Sequence, residues 1–280
     1  MATTTSIATS RGHRRGSRWR AVLLLALVAV LAWYLVAYTR RIPGETPVSV
    51  VAHRGGSAGA GIPEGTLAAF EAAIAAGADG LEFDVRVTSD GALVVLHDAT
   101  VDRTTDGHGP IAAMALEQVR ALDAGAGATI PTVQEVIDLA KPSGTLLMPE
   151  IKDGPLHPDV PGALVKILAA ADLLDRTIVQ AFEPETLDAL HRLEPRVATC
   201  LLRGLGQFDA TTVPTGTGNI CPMGEMVLID PDMIRRAHAA GLRVFAWWVS
   251  LETTATDRIL EAYGVDGLIV DDLEPLLDAR

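Results

Sequence analysis

Two histidines, three carboxylates, an arginine and a lysine are spaced along this 280-residue chain in a pattern suited to phosphoester chemistry. His53 follows the apolar run 48–52, and His97 follows 93–96. Imidazole gives and takes a proton near neutral pH, so two of them at strand ends form a natural acid/base pair. Glu82 and Asp84 lie two positions apart, which on a strand puts both carboxylates on one face. Carboxylates held together repel unless a cation sits between them, and oxygen ligands suit Mg²⁺ or Ca²⁺. Leu81, Phe83 and Val85 then occupy the opposite face, where they would pack against helices. Glu150 and Lys152 repeat this spacing: Glu150 is a candidate third oxygen ligand, and Lys152 a point charge beside a phosphate. Arg54 offers a guanidinium fork for phosphate oxygens. Each feature alone has a plainer reading as a structural histidine, a surface acidic pair or a strand-end ion pair. Together they point to metal-assisted phosphoester hydrolysis.

Such groups need a scaffold that delivers strand ends to one place. Beyond residue 47, β-like runs alternate with helix-like stretches of about ten residues. The β-like runs are 48–52, 81–87, 93–96, 146–151, 178–182, 197–202, 227–229, 244–249 and 268–270. Helices are expected over 66–76, closed by Gly77, and over 116–122, 133–140, 161–171, 184–193, 232–240 and 253–263. Alternation of this kind predicts parallel pairing, and roughly eight strands in one domain favour a (β/α)₈ TIM barrel, an α/β fold. No G-x-G-x-x-G opens a helix after the first strand, which argues against a dinucleotide fold. In a barrel, functional groups come from the C-terminal strand ends, where the candidates above fall.

The first forty-odd residues differ from the rest. All seven of their charged residues are arginines, five of which lie between Arg11 and Arg20, and no acidic residue precedes Glu45. The run 21–38 has eighteen residues without a charge, close to the roughly 20 needed to span a membrane. Trp33, Tyr34 and Tyr38 fall where interfacial aromatics are favoured. The organisation expected is a basic cytoplasmic segment 1–20, a transmembrane signal-anchor helix 21–38, a linker 39–47 and a barrel domain 48–280. The arginine asymmetry places the N-terminus in the cytoplasm and the barrel outside it. A cleaved secretory signal is the alternative, though no clear small-x-small cleavage site follows the run. Residues 42–280 hold 16 Lys+Arg and all 35 Asp+Glu, a net charge of −19. That charge argues against a nucleic-acid partner, and an anionic substrate would need a metal or a local cationic pocket. No protein partner is implied. Cys200 and Cys221 suffice for one disulfide at most, and spacing leaves open whether it forms.

The motifs resemble the glycerophosphodiester phosphodiesterase family, related to phosphatidylinositol phospholipases C. The pieces include VAHRGG at 51–56, PEGTLAAF at 63–70, GADGLEFDVRVTSDGALVVLHD at 77–98 and VDRTTDGHG at 101–109. RALDAG at 120–125, IPTVQEVI at 130–137, PEIK at 149–152, GLRVFAWWVS at 241–250 and GVDGLIVDD at 264–272 follow in order. The resemblance implies a (β/α)₈ barrel that converts glycerophosphodiesters to glycerol 3-phosphate and an alcohol with a divalent cation, Mg²⁺ or Ca²⁺. It makes His53 and His97 the general acid/base pair, and Glu82, Asp84 and Glu150 the metal ligands. Arg54 and Lys152 become phosphate contacts, and Glu64 lies near the metal.

Three departures bear on the pocket. The usual PENT is PEGT, so Gly65 replaces an asparagine; WTVN is WWVS, with Trp248 and Ser250; and the proline after the last strand is delayed to Pro275. Trp247 is read as lining a pocket for a glycerol or lipid moiety, with a core position as the alternative. Asp271, ending the last strand, is placed to support the site, whereas His108, His157, His191 and His238 read as solvated. Two other readings stand: a lysophospholipase D or phospholipase C-like enzyme acting on lipid, and a non-catalytic barrel that binds phosphodiesters.

Overall fold

Eight parallel strands close on themselves. They are β1 (Ser49–Ala52), β2 (Gly80–Val87), β4 (Leu146–Ile151), β5 (Ile178–Ala181), β6 (Ala198–Arg203), β7 (Asn219–Pro222), β8 (Arg243–Trp247) and β9 (Gly267–Val270), with β1 paired to both β2 and β9. The structure is a computed structural model and describes residues 19, 20, 22–29, 48–56, 61–152 and 154–278. The chain divides into two units, 1–41 and 42–280. Of the transmembrane helix expected over 21–38, residues 22–29 are helical and the remainder lies outside the described residues. Among the described residues no helix is long and apolar enough to cross a membrane.

Alternation along each strand builds two cores. Leu81, Phe83 and Val85 point outward and are fully buried beneath the helices, as their spacing predicts. They meet Phe70 of α1 (Leu67–Ala76) and Val133, Val136 and Ile137 of α3 (Val133–Ala140), which follows the short α2 (Leu116–Arg120). Both longer helices begin on a threonine cap: Thr66 accepts from Ala69 N, and Thr132 with Glu135 forms a reciprocal capping box. The inward residues Val51, Met148, Ile178, Cys200, Leu202, Cys221, Phe245 and Ile269 fill the barrel as a second core. Cys200 and Cys221 join β6 to β7 as a disulfide, with Cα atoms 5.9 Å apart. The helices α4 (Val160–Ala171), α5 (Pro184–Leu193), α7 (Asp232–Ala239) and α8 (Thr254–Tyr263) alternate with the later strands, and α9 (Glu274–Leu277) follows β9.

Two expectations need correction. Residues 227–229 are not a strand: they belong to helix α6 (Gly224–Ile229), and the sixth of the eight barrel strands is the earlier β7, Asn219–Pro222. A three-residue apolar run has too little periodicity to separate helix from strand. Here Val227 is buried by the helix, and the Gly224 backbone lies under the Trp248 ring. The run 93–96 is a strand, β3 (Leu93–Val95), but it stands outside the barrel wall. It pairs antiparallel with β2, which is eight residues long and extends past its partner β4. The hairpin therefore turns back toward the mouth and brings His97 to it.

Candidate active site

Strand register assembles the carboxylates. Asp84 pairs with Glu150 across β2 and β4, and Glu82 lies one inward position below Asp84. All three are at least nine-tenths buried, and one ligand oxygen from each falls within 4.8 Å of the others. Burial, joined by the repulsion of Asp84, pushes the Glu82 and Glu150 carboxyls well above the usual range. Burial acts on Asp84 the same way, but Lys152 and Arg54 outweigh it and hold that group low. Lys152 Nζ lies 3.0 Å from Asp84 Oδ1 and 2.7 Å from Glu150 Oε1, and Arg54 Nε lies 3.4 Å from Asp84 Oδ2. Three buried, mutually repelling carboxylates with hard oxygen donors fit a divalent cation of the Mg²⁺ or Ca²⁺ kind.

His53 and Arg54 leave β1 in a tight turn in which Arg54, Gly55 and Gly56 all have positive φ (50°, 93° and 59°). A side chain at Gly55 would meet Ala69 Cβ at 2.6 Å, so this turn requires glycine. It directs the Arg54 amide to Glu82 Oε2 (3.0 Å) and leaves His53 Nε2 3.9 Å from the same oxygen. His53 Nδ1 bonds Asp271 Oδ1 at 2.7 Å. Burial works to lower the His53 pKa, yet Asp271 and Glu82 prevail and hold it raised. His97 Nδ1 similarly bonds Asp98 Oδ1 at 2.6 Å, and its backbone carbonyl accepts from Arg86 Nε and Nη2 at 3.0 and 2.6 Å.

A cavity of about 370 Å³ opens at the C-terminal end of the barrel. Its lining combines the polar His53, Arg54, Glu82, His97, Glu150, Lys152 and Asp271 with the apolar Phe182, Leu202, Trp247, Val249 and Ile269. Asp84 and Glu64 border an adjoining cleft with Arg54 and His97. All ten residues expected at the site thus meet at one end of the barrel. Trp247 lies edge-on to Phe182 with ring centroids 5.8 Å apart, and its Nε1 donates to Cys221 O. His108 is exposed as expected, whereas His238 is half-buried and bonded to Asp266.

The departures from the family motifs leave the acidic centre intact. Gly65 has φ 67°, a conformation that asparagine also tolerates, and its amide bonds Arg54 O at 2.8 Å. Glu64 is fixed without residue 65, through Arg54 at 3.1 Å and Arg103 at 2.8 Å. Trp248 is buried, with its Nε1 on Asp257 Oδ1, and Ser250 N donates to Glu225 Oε1.

Residues 53–274 match the model of the glycerophosphoryl diester phosphodiesterase family. The chain belongs to that family. A glycerophosphodiester phosphodiesterase of Caldanaerobacter subterraneus subsp. tengcongensis is 35% identical over 237 residues, covering 82% of this chain and 96% of that one. A probable glycerophosphodiester phosphodiesterase 1 of Mycobacterium tuberculosis is 33% identical, covering 71% of this chain and 80% of that one. Among solved structures, an Oleispira antarctica phosphodiesterase in complex with the product sn-glycerol-3-phosphate is 26% identical with a TM-score of 0.72. That match covers 87% of this chain and 98% of the Oleispira chain.

Sequence reasoning gave no role to Arg103, Asp98, Arg86 or Glu252. Glu252 accepts from the amides of Asp271 and Asp272 at 2.8 and 3.0 Å, so it fixes the turn that carries Asp271 to His53. Burial, aided by Asp271, raises its carboxyl from 4.5 to about 7. Between those values the folded chain keeps a proton that the unfolded chain has lost, so stability falls as pH rises through this window. Glu252→Gln keeps the accepting oxygen and removes the ionisation. It is expected to match wild type near pH 4.5 and to exceed it by about 1 kcal/mol at pH 8, after discounting for partial solvent access. Thermal melts at both pH values check this; a difference that does not grow with pH refutes it.

Proposed function

We propose that the barrel hydrolyses glycerophosphodiesters to glycerol 3-phosphate and an alcohol, with His53 and His97 as the acid/base pair. The observation that carries this reading is the buried Glu82–Asp84–Glu150 cluster, set beside two imidazoles and two cationic side chains in one cavity. Glu82, Asp84 and Glu150 would hold Mg²⁺ or Ca²⁺, which when bound supplies charge neutralisation at the phosphoryl oxygens. Arg54 and Lys152 bind those oxygens from the protein side. One imidazole takes the proton of the attacking oxygen, from water or the glycerol 2-hydroxyl, and the other returns a proton to the departing alkoxide. Glu64 orients Arg54, and Asp271 orients His53. The apolar run 21–38 supports an uncleaved anchor that holds the barrel outside the cytoplasmic membrane, with secretion after cleavage as the alternative.

The wall of Phe182, Trp247 and Val249 favours one second reading, a lysolipid with its phosphodiester at the same centre. Assay of the full-length protein on glycerophosphocholine and lysophosphatidylcholine, with Mg²⁺ or Ca²⁺, separates the two. Release of glycerol 3-phosphate from glycerophosphocholine supports the main reading, and faster turnover of the lysolipid supports the second. Calorimetric binding without product from either substrate would leave a non-catalytic barrel.

A further inference from the structure

Arg103 lies on the loop after β3, forms no part of the cavity wall, and yet makes four hydrogen bonds to two carboxylates. Its Nε and Nη2 donate to Asp98 Oδ2 and Oδ1 at 2.7 and 3.2 Å. Its Nη1 and Nη2 donate to Glu64 Oε2 and Oε1 at 2.9 and 2.8 Å. Each carboxylate in turn holds a residue of the proposed machinery: Asp98 Oδ1 takes His97 Nδ1 at 2.6 Å, and Glu64 Oε1 takes Arg54 Nη1 at 3.1 Å. The guanidinium fork is thus the shared partner of two arms that arrive from different strands, β1 and β3.

We infer that Arg103 is a positioning residue that sets His97 and Arg54 in register with each other, acting through Asp98 and Glu64. The inference rests on the acid/base reading of His97. A planar fork engages two carboxylates bidentately, whereas an ammonium group is a point charge without that geometry. Lysine at this position would therefore keep the charge and lose the alignment. The two Arg103 hydrogen bonds also hold the Asp98 carboxylate with Oδ1 turned to His97, so that Oδ1 stays the acceptor and His97 Nδ1 the donor. That fixes the neutral ring in one tautomer, with Nε2 free to act.

Positioning partners of this kind typically contribute about 10–100-fold. Arg103→Ala should lower kcat by that factor, and Arg103→Lys should restore only a minor part of it. Arg103→Ala/Asp98→Ala should fall within about threefold of the worse single variant, because both act along one arm. His108→Ala, on the same exposed loop, should turn over as wild type. The second arm of the test needs no substrate: ¹⁵N spectra of histidine-labelled full-length protein should show a single neutral tautomer for His97, and a mixture in Arg103→Ala. Wild-type kcat in Arg103→Ala, multiplicative losses in the double variant, or an unchanged tautomer would each overturn the inference. If no glycerophosphodiester is turned over at all, the reaction assignment fails, and the tautomer spectra still decide the role of Arg103.

Discussion

Asp84→Asn is expected to lower kcat/KM for a glycerophosphodiester about 10³-fold and to abolish the stabilisation that Mg²⁺ or Ca²⁺ gives the folded protein. Asp84 is the central carboxylate of its cluster. Register sets it beside Glu150, strand period sets it above Glu82, and both cationic side chains lean on it. The amide keeps the shape and removes the negative charge. A cation that binds only the folded state stabilises it by about 2.7 kcal/mol at a concentration 100 times its Kd. For a domain of this size that is a rise in Tm of roughly 5–10 °C. Wild-type protein should show this rise with Mg²⁺ or Ca²⁺ and lose it in EDTA, together with its activity. Asp84→Asn should melt at the same temperature with and without the cation. A variant that keeps either the shift or the turnover would show that the three carboxylates are an internal ion-pair network with Arg54 and Lys152. The two readouts are separate, so an unsuitable substrate would not hide a failed metal site.

Why the carboxylate cluster could be read from sequence while its supports could not is a matter of range. Glu82-x-Asp84 and Glu150-x-Lys152 announce themselves because a strand repeats every two residues, so each pair shares a face wherever the strand goes. The barrel was legible because its strands alternate with helices at a steady interval, even though 227–229 was misassigned and β3 lies outside the wall. Nothing local says that Asp84 will pair with Glu150, a relation set by barrel closure and strand stagger. Arg103 and Glu64 are 39 positions apart, and Glu252 and Asp271 are 19 apart. Each is an ordinary charged residue until the fold supplies its partner. Cys200 and Cys221 show the same limit: their proximity follows from adjacent parallel strands, and spacing alone left the bond undecided.

His53→Ala and His97→Ala should each lower kcat by about 10² or more, while the cation-induced rise in Tm persists in both. The geometry predicts more than two equal losses. Each ring gives Nδ1 to a carboxylate, His53 to Asp271 and His97 to Asp98, which leaves Nε2 as the working nitrogen. In the proposed reaction one ring accepts a proton and the other donates one, so the two act as a unit. The double variant should therefore lose far less than the product of the single losses. Changing the leaving group separates the roles. From a glycerophosphodiester of a nitrophenol the nitrophenolate departs as a stable anion and needs no acid, whereas the attacking oxygen still needs a base. The variant lacking the acid should recover most of its rate on that ester, and the variant lacking the base should remain impaired. Equal losses for both variants on both substrates would mean that the histidines do not divide the proton transfers, and full activity in both would remove them from the chemistry altogether.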